Sequence, residues 1–171
     1  PLWVTNSKDV YSARYKWYKS TLDTAFKTYG LKFQYVSAVR NEKDIDTQWI
    51  KYLSKRLKTE KDCPYDYSSI KIVSADEVCS WNIADMMLND YELLNSIDVI
   101  GSHYTSCSSD NAKLLSDKYR KELWFSEASS PMSYSQGTYR YDGTGSGISD
   151  VNGMLDIANR IIAMYPNGGM T

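Results

Sequence analysis

Apolar residues follow two alternating patterns along the chain. Short continuous runs, several of them rich in β-branched residues, occur at residues 33–39, 70–73, 97–100 and 123–125, and a shorter one lies at residues 2–4. Runs of this length are typical of strands that are buried on both faces of a parallel sheet. Between the runs, apolar residues recur at a helical spacing. The pattern therefore predicts helices that alternate with strands.

Capping residues predict where the helices begin and end. Asp9 precedes a helix that ends at Gly30, and Asp44 or Asp46 precedes a second helix. A carboxylate before a helix accepts hydrogen bonds from the free N–H groups of the first turn, and glycine tolerates the left-handed conformation after the last turn. Further helices are predicted at residues 81–94 and 110–115, and a last one is predicted between its cap Ser149 and Pro166, which stops it. A functional loop is predicted at residues 129–147.

The spacing of the predicted strands indicates a parallel sheet. Strands that begin near residues 33, 70, 97 and 122 are 37, 27 and 25 residues apart, which leaves room for one helix in each connection. With residues 2–4, five strands are expected, enough for an open doubly wound sheet, whereas a (β/α)8 barrel needs three more strands and roughly 250 residues. Because the chain begins in a predicted strand and ends after a helix, we expect a slice of a barrel.

Composition narrows the possible partners. The chain has 20 basic and 21 acidic residues. Because there is no excess of basic residues, no nucleic-acid partner is expected. The apolar runs are much shorter than the roughly 20 residues of a membrane span. Three separated cysteines and one histidine do not complete a four-ligand zinc site, so no metal or other cofactor is expected. The 15 tyrosines and 5 tryptophans suit a sugar-binding surface, although core packing explains most of them.

Polar residues follow the predicted strands, where parallel α/β enzymes carry their catalytic groups. In strand order these residues are Arg40, Asn41 and Glu42, then Asp76 and Glu77, then Ser102, His103 and Tyr104, and finally Ser126 and Glu127. Two carboxylates that face one cleft are typical of glycosidic bond cleavage. Each glutamate could equally be an acid that favours the start of a helix, and the pattern alone leaves both interpretations open.

A nucleophilic serine is a weaker interpretation of the same strand ends. Ser126 precedes Glu127, and His103 follows the neighbouring strand, but no G-x-S-x-G turn surrounds the serine. His103 is interpreted either as a group that positions a substrate hydroxyl or a carboxylate, or as an ordinary loop residue.

Four segments resemble the galactocerebrosidase family of retaining glycoside hydrolases. The run YVSAVRNEKDIDTQWIKYLSKRL resembles the acid/base segment of that family, in which Asn-Glu closes the fourth barrel strand. SIKIVSADE, IDVIGSHY and ELWFSEAS resemble its fifth, sixth and seventh strands, in the same order. The resemblance covers roughly residues 31–130. One departure is Arg40, which stands where the family commonly has tryptophan.

The resemblance implies an α/β fold and a particular chemistry. The fold would be a partial TIM (β/α)8 barrel, roughly strands three to seven with their helices, and residues 1–171 would be a fragment of one catalytic domain. In a double displacement on a terminal β-galactoside, Glu42 would be the acid/base and Glu127 the nucleophile. Asn41 would bind the sugar 2-hydroxyl, and His103 and Tyr104 would orient Glu127. We also expect Asp76 and Ser126 to bind substrate.

The resemblance further implies partners and a location. The substrate would be a β-galactoside or a glycolipid, the remainder of the barrel would lie in the parent protein, and the enzyme would be secreted or lysosome-like. A glucosylceramidase-like β-glycosidase and a non-catalytic sugar-binding α/β domain remain the alternatives. For the leading interpretation we predict a carboxyl separation between Glu42 and Glu127 of about 5 to 5.5 Å.

Overall fold

The computed structural model of the chain describes residues 1–38, 42–78, 80–103, 109–127, 151–166 and 169–170. The helices are α1 (Leu2–Thr5), α2 (Val10–Tyr29), α3 (Thr47–Thr59), α4 (Asn82–Asn89), α5 (Tyr91–Ser96), α6 (Asp110–Tyr119) and α7 (Val151–Met164). The strands are β1 (Tyr35–Ser37), β2 (Lys71–Val78), β3 (Val99–His103) and β4 (Glu122–Glu127). No helix in the described part of the chain is long and apolar enough to cross a membrane.

The described strands form one parallel sheet in the order β1-β2-β3-β4. Spatial order equals chain order, so each helical connection returns the chain beside the strand that it has just left. This confirms the predicted α/β class and the parallel sheet. All four strands therefore end at the same edge of the sheet, which we call the rim.

Burial differs between the middle and the edges of the sheet. In β3 every residue is buried, and in β2 only the first and the last residues are not. The edge strands β1 and β4 are mostly half-buried or exposed. Helix α3 supplies much of the core that covers the sheet through Trp49, Ile50, Leu53 and Leu57. The central strands are thus buried on both faces, as their continuous apolar sequence predicted.

The first predicted strand is wrong, because residues 2–4 belong to helix α1. Asn6 N donates to Leu2 O at 2.9 Å, which closes a helical turn. Val4 is buried, whereas Leu2 and Trp3 are exposed, and the segment packs on α2 instead of entering the sheet. Three apolar residues are too short a window to distinguish a strand from one helical turn.

The predicted helix over residues 81–94 is two helices, α4 and α5. Asp90 lies between them in an extended conformation, and its Oδ1 accepts from Leu93 N at 3.0 Å. An aspartate that caps a new helix competes with continuation of the previous one. The interruption therefore follows from the same capping chemistry that the sequence shows at the other helices.

Three predicted caps are confirmed. Asp9 Oδ1 accepts from Ser12 N at 2.9 Å, and Gly30 ends α2 in the left-handed conformation. Asp46, rather than Asp44, caps α3. Its Oδ1 accepts a hydrogen bond from Trp49 N at 3.0 Å and another from the hydroxyl of Tyr11 at 2.8 Å. Because Tyr11 lies on α2, this carboxylate fixes the start of α3 against α2.

Replacing Asp46 by alanine should lower the free energy of unfolding by about 2 kcal/mol, because the change removes a helix cap and a hydrogen bond from Tyr11. Urea denaturation of the complete protein, followed by tryptophan fluorescence, measures the loss. Asp44→Ala is the control, since Asp44 is exposed and does not cap α3. Equal losses in the two variants would contradict this role for Asp46.

Candidate active site

Each strand or the turn after it contributes an ionisable side chain to one cluster at the rim. Glu42 follows β1, Asp76 lies near the end of β2, His103 ends β3 and Glu127 ends β4. Glu42 and Asp76 have φ angles of 55° and 54°, in the left-handed region that residues with a Cβ atom seldom adopt. Such conformations persist where the surrounding structure fixes them, often at functional sites. The rim is therefore the candidate active site.

His103 lies at the centre of this group and is only 3% exposed. Its Nδ1 atom is 3.1 Å from Glu42 Oε1 and 3.7 Å from Glu127 Oε2. Its Nε2 atom is 3.5 Å from Asp76 Oδ1. Both ring nitrogens therefore face carboxylate oxygens, with the two glutamates on one side of the ring and the aspartate on the other.

Glu42 and Glu127 approach each other across the two central strands. One carboxylate oxygen of each lies with a ring nitrogen of His103 in a group whose atoms are all within 4.8 Å of one another. In a flat sheet, strands three positions apart would be separated by about 14 Å. The side chains of Glu42 and Glu127 are 31% and 44% exposed. The structure thus brings the two predicted carboxylates together at one solvent-accessible place.

Asp76 is held by groups from three other strands. Its Oδ1 accepts from Ser126 Oγ at 2.6 Å, and its Oδ2 accepts from Ser37 Oγ at 3.2 Å. Its side chain is 13% exposed. With His103 beside Oδ1, the carboxylate connects all four strands. Asp76 and Ser126 are both predicted to bind substrate, and the structure shows a hydrogen bond between them.

Two irregularities in the strand register place Asp76 and Ser126 in contact. Ala75 pairs with Gly101 and Glu77 pairs with Ser102, which leaves Asp76 as an extra residue in β2. In the same way the register between β3 and β4 shifts at Ser126. Bulges re-aim side chains and are common beside active sites. Here they turn both residues toward each other at the rim.

Gly101 provides the space for this contact. A Cβ atom at Gly101 would lie 2.4 Å from Asp76 Oδ1 and 2.8 Å from Ser126 Oγ. The apolar run at residues 97–100 predicts a strand that stops at Gly101. That boundary is wrong, because β3 continues through Gly101 to His103. A glycine inside a strand pattern often marks a bulge or a close approach, and this signal could have identified Gly101 from the sequence.

Glu77 and Ser102, the other strand-end residues, support the backbone. Glu77 Oε1 accepts from Ser80 Oγ at 2.8 Å, and Oε2 accepts from Ile83 N at 2.8 Å. Ser102 Oγ donates to the carbonyl oxygens of Glu77 and Ser80, at 3.3 and 3.1 Å. These bonds hold the connection between β2 and α4 and leave Glu77 separate from the His103 group.

Several predicted features lie outside the described residues. They are Arg40, Asn41, Tyr104, the loop at residues 129–147 and the capping residue Ser149. The roles assigned to Asn41 and Tyr104 therefore stay predictions.

The His103 group is also the place where a metal ion could bind among the described residues. Glu42, His103 and Glu127 offer two oxygens and one nitrogen within 4.8 Å of one another. Three protein ligands are the usual number at a catalytic zinc site, but side chains of these types also form metal-free acid/base sites. That no metal is needed stays a prediction from the sequence.

The fold and the rim together indicate a class of protein. Paired carboxylates at the carboxyl ends of parallel strands are the arrangement of many glycoside hydrolases. All of residues 1–171 match the model of glycosyl hydrolase family 59. The chain therefore belongs to glycosyl hydrolase family 59.

Relatives in three vertebrates are similar to parts of the chain, and all three are galactocerebrosidases. The chain is 37% identical to the protein from Canis lupus familiaris over 89 residues, 51% of this chain. It is 32% identical to the Homo sapiens protein over 114 residues (66%) and to the Danio rerio protein over 99 residues (58%). The aligned segments make up only 12%, 15% and 13% of those proteins, respectively. The resemblance to the galactocerebrosidase family is thus confirmed.

Gly101→Ala should lower the free energy of unfolding by about 2 to 3 kcal/mol, because the new methyl group overlaps the Asp76 carboxylate. The matched control is Gly30→Ala, since a Cβ atom at Gly30 meets nothing within 4 Å and adds only the strain of a positive φ, about 1 kcal/mol.

A double-mutant cycle in urea denaturation of the complete protein locates the overlap. Asp76→Ala should remove part of the penalty of Gly101→Ala, so the double variant should be more stable than the sum of the single effects predicts. If the effects of the two substitutions on the free energy of unfolding are strictly additive, the methyl group at residue 101 does not overlap the Asp76 carboxylate.

Proposed function

We propose that the protein containing this chain is a retaining β-glycosidase that hydrolyses a terminal β-galactoside by a double displacement. The observation that carries the proposal is the approach of Glu42 and Glu127, whose nearest oxygens lie within 4.8 Å. Retaining enzymes have carboxyl groups about 5 to 5.5 Å apart, whereas inverting enzymes leave about 6.5 to 9.5 Å for a water. These ranges refer to whole carboxyl groups, and the approach of the nearest oxygens supports the arrangement in which no water is held between the two carboxylates.

The two glutamates would have different roles. Glu127 would attack the anomeric carbon while Glu42 donates its proton to the glycosidic oxygen, so that the leaving alcohol departs and a glycosyl-enzyme forms. Glu42, now a carboxylate, would then remove a proton from water, which attacks the anomeric carbon and releases Glu127. Asn41 would hydrogen-bond the sugar 2-hydroxyl. Tyr104, with His103, would orient Glu127.

His103 would orient both glutamates, because its Nδ1 faces each of them and lies closer to Glu42 than to Glu127. Asp76 would act mainly through His103. Its two oxygens already accept from Ser37 and Ser126, and its carboxylate faces Nε2 of the ring. We therefore propose Asp76 and Ser126 as positioning residues, with substrate contact as the alternative role for either one.

We further propose that residues 1–171 are part of one catalytic TIM barrel. The chain order of the parallel strands and the approach of side chains across the sheet are expected for a curved segment of a barrel. By the resemblance, β1 to β4 would be barrel strands four to seven, and no described strand corresponds to strand three. The remainder of the barrel would come from the parent protein.

We propose the substrate from the names of the relatives. Galactocerebrosidase, the name of all three, supports a glycolipid with a terminal β-galactose. A secreted or lysosome-like location is proposed from the family resemblance of the sequence alone. Arg40 stands where the family commonly has tryptophan, so the sugar-binding surface differs at this position. A glucosylceramidase-like activity is therefore the second candidate function. A fluorogenic β-galactoside and the matching β-glucoside, offered to the complete protein, would decide between them. A non-catalytic sugar-binding domain would hydrolyse neither.

In the complete enzyme, Glu127→Gln should abolish hydrolysis of every substrate, because the nucleophile is lost. Glu42→Gln should lower kcat/KM by roughly 10² to 10⁴ for substrates with poor leaving groups. It should spare substrates with very good leaving groups, which need little protonation, and azide should rescue its second step. Kinetics on a leaving-group series measure both effects.

The control is Glu122→Gln, at the opposite end of the strand that carries Glu127. Glu122 forms an ion pair with Lys71 far along β4 from the rim, so its loss should leave the leaving-group dependence unchanged. Equal losses on all substrates for Glu42→Gln and Glu127→Gln, without an azide effect, would contradict the two roles.

The 171-residue chain alone should lack glycosidase activity and should associate with itself or with other chains. In the described residues β1 and β4 each pair on one side only, and unpaired strand edges and exposed apolar surface promote association. Light scattering and a β-galactoside assay test both expectations. A monodisperse monomer that hydrolyses β-galactosides would refute the barrel-fragment proposal.

A further inference from the structure

One imidazole ring at the rim faces three carboxylates. The Nδ1 atom of His103 lies 3.1 Å from Glu42 Oε1 and 3.7 Å from Glu127 Oε2. On the other side of the ring, Nε2 lies 3.5 Å from Asp76 Oδ1. The ring can carry at most one positive charge, so it cannot neutralise three ionised carboxylates. Because the ring is buried and water screens the charges there only weakly, the group attracts a cation that reaches the rim.

The distances suit a tetrahedral metal ion between the histidine and the two glutamates. Zinc lies about 2.0 to 2.2 Å from histidine nitrogen and carboxylate oxygen, so two ligands of a tetrahedral site are about 3.4 Å apart. The two distances from Nδ1, 3.1 and 3.7 Å, lie on either side of that value. The glutamate oxygens are within 4.8 Å of each other, so they need to approach by at most about 1.4 Å. Both glutamate side chains are partly exposed, which allows this adjustment and lets an ion enter from solvent.

Asp76 supports His103 as a metal ligand. A metal-binding histidine usually directs its other ring nitrogen toward a carboxylate, which fixes the ring and makes it a better electron-pair donor. Asp76 Oδ1 faces Nε2 of His103, on the side of the ring away from the glutamates. The hydroxyls of Ser126 and Ser37 donate to the Asp76 carboxylate at 2.6 and 3.2 Å, so its position is itself fixed. This support does not involve the glutamates, and it is the arrangement expected behind a metal ligand.

We infer that Glu42, Glu127 and Nδ1 of His103 form an inhibitory binding site for a zinc ion. One nitrogen and two carboxylate ligands suit zinc, whereas Mg²⁺ and Ca²⁺ prefer six or more oxygen ligands. Binding of the ion rests only on the geometry of the group. Inhibition rests on the proposed function, in which the glycosidic bond lies between Glu42 and Glu127. A zinc ion that binds both carboxylates occupies this space and excludes the substrate.

The test is a zinc titration of the complete protein in competition with a chromophoric chelator. The variants are Glu42→Gln and Glu127→Gln, each of which removes one zinc ligand and keeps the shape of a partly exposed side chain. Asp44→Asn is the matched control, because Asp44 is an exposed acid two residues from Glu42 and is not one of the three ligands. Cys63→Ser is a second control, since the free thiol of Cys63 is a zinc ligand of another kind. Thermal unfolding without zinc shows that each variant is folded.

We expect each glutamine variant to bind one zinc ion fewer at the concentration that fills this site in the unmodified protein. The affinity of the site should fall by more than about 100-fold, because loss of a direct ligand costs more than loss of a supporting partner. Both controls should bind zinc as the unmodified protein does, and an excess of Mg²⁺ should not displace it. Unchanged zinc binding in the two glutamine variants, or an equal loss in Asp44→Asn or Cys63→Ser, would overturn the inference.

Kinetics on a fluorogenic β-galactoside test the inhibition. Zinc should raise KM and leave kcat unchanged, because the ion and the substrate compete for the same two carboxylates. Zinc that lowers kcat without raising KM would refute the position of the ion between them. If the complete protein binds zinc as expected but hydrolyses no β-glycoside, the proposed function fails and the zinc site stands.

Discussion

The burial of His103 is the constraint on which the rest of the site depends. The ring is 3% exposed, and its nitrogens face Glu42, Glu127 and Asp76. Ionisable groups removed from water are stable only where partners replace the lost hydration. Since each of these four residues comes from a different strand or the turn after it, the site exists only when all four strands are correctly paired.

A regular parallel ladder would not supply this geometry, because its side chains alternate strictly between the two faces of the sheet. The register shifts beside Asp76 and Ser126 break the alternation where the chemistry lies. Gly101 then provides the space into which the Asp76 carboxylate fits. The rim is therefore specified by three local departures from regular sheet structure, while the buried middle of the sheet needs only apolar residues of suitable size.

The sequence predicted the parallel sheet and the acids at its rim, because buried runs and strand-end polar residues depend on local pattern. It also identified Glu42, His103 and Glu127, which the structure brings together. It did not predict that Ser37 holds Asp76, since that bond joins residues 39 positions apart through a bulge. Nor did it place residues 2–4 in a helix, because packing on α2 decides their conformation. Long-range contacts, unlike periodicity, leave no trace in a short window of sequence.

The left-handed backbone at Glu42 and Asp76 sets a limit on how this protein can change. A positive φ at a residue with a Cβ atom costs about 1 to 2 kcal/mol, and glycine at either position would relieve it together with the carboxylate. At Glu42, whose side chain is partly exposed, relief of the strain and loss of the carboxylate therefore coincide. At Asp76 the same change would also remove the acceptor of the Ser37 and Ser126 hydroxyls, a loss that offsets the relief of strain. Efforts to stabilise proteins of this family should leave both positions untouched.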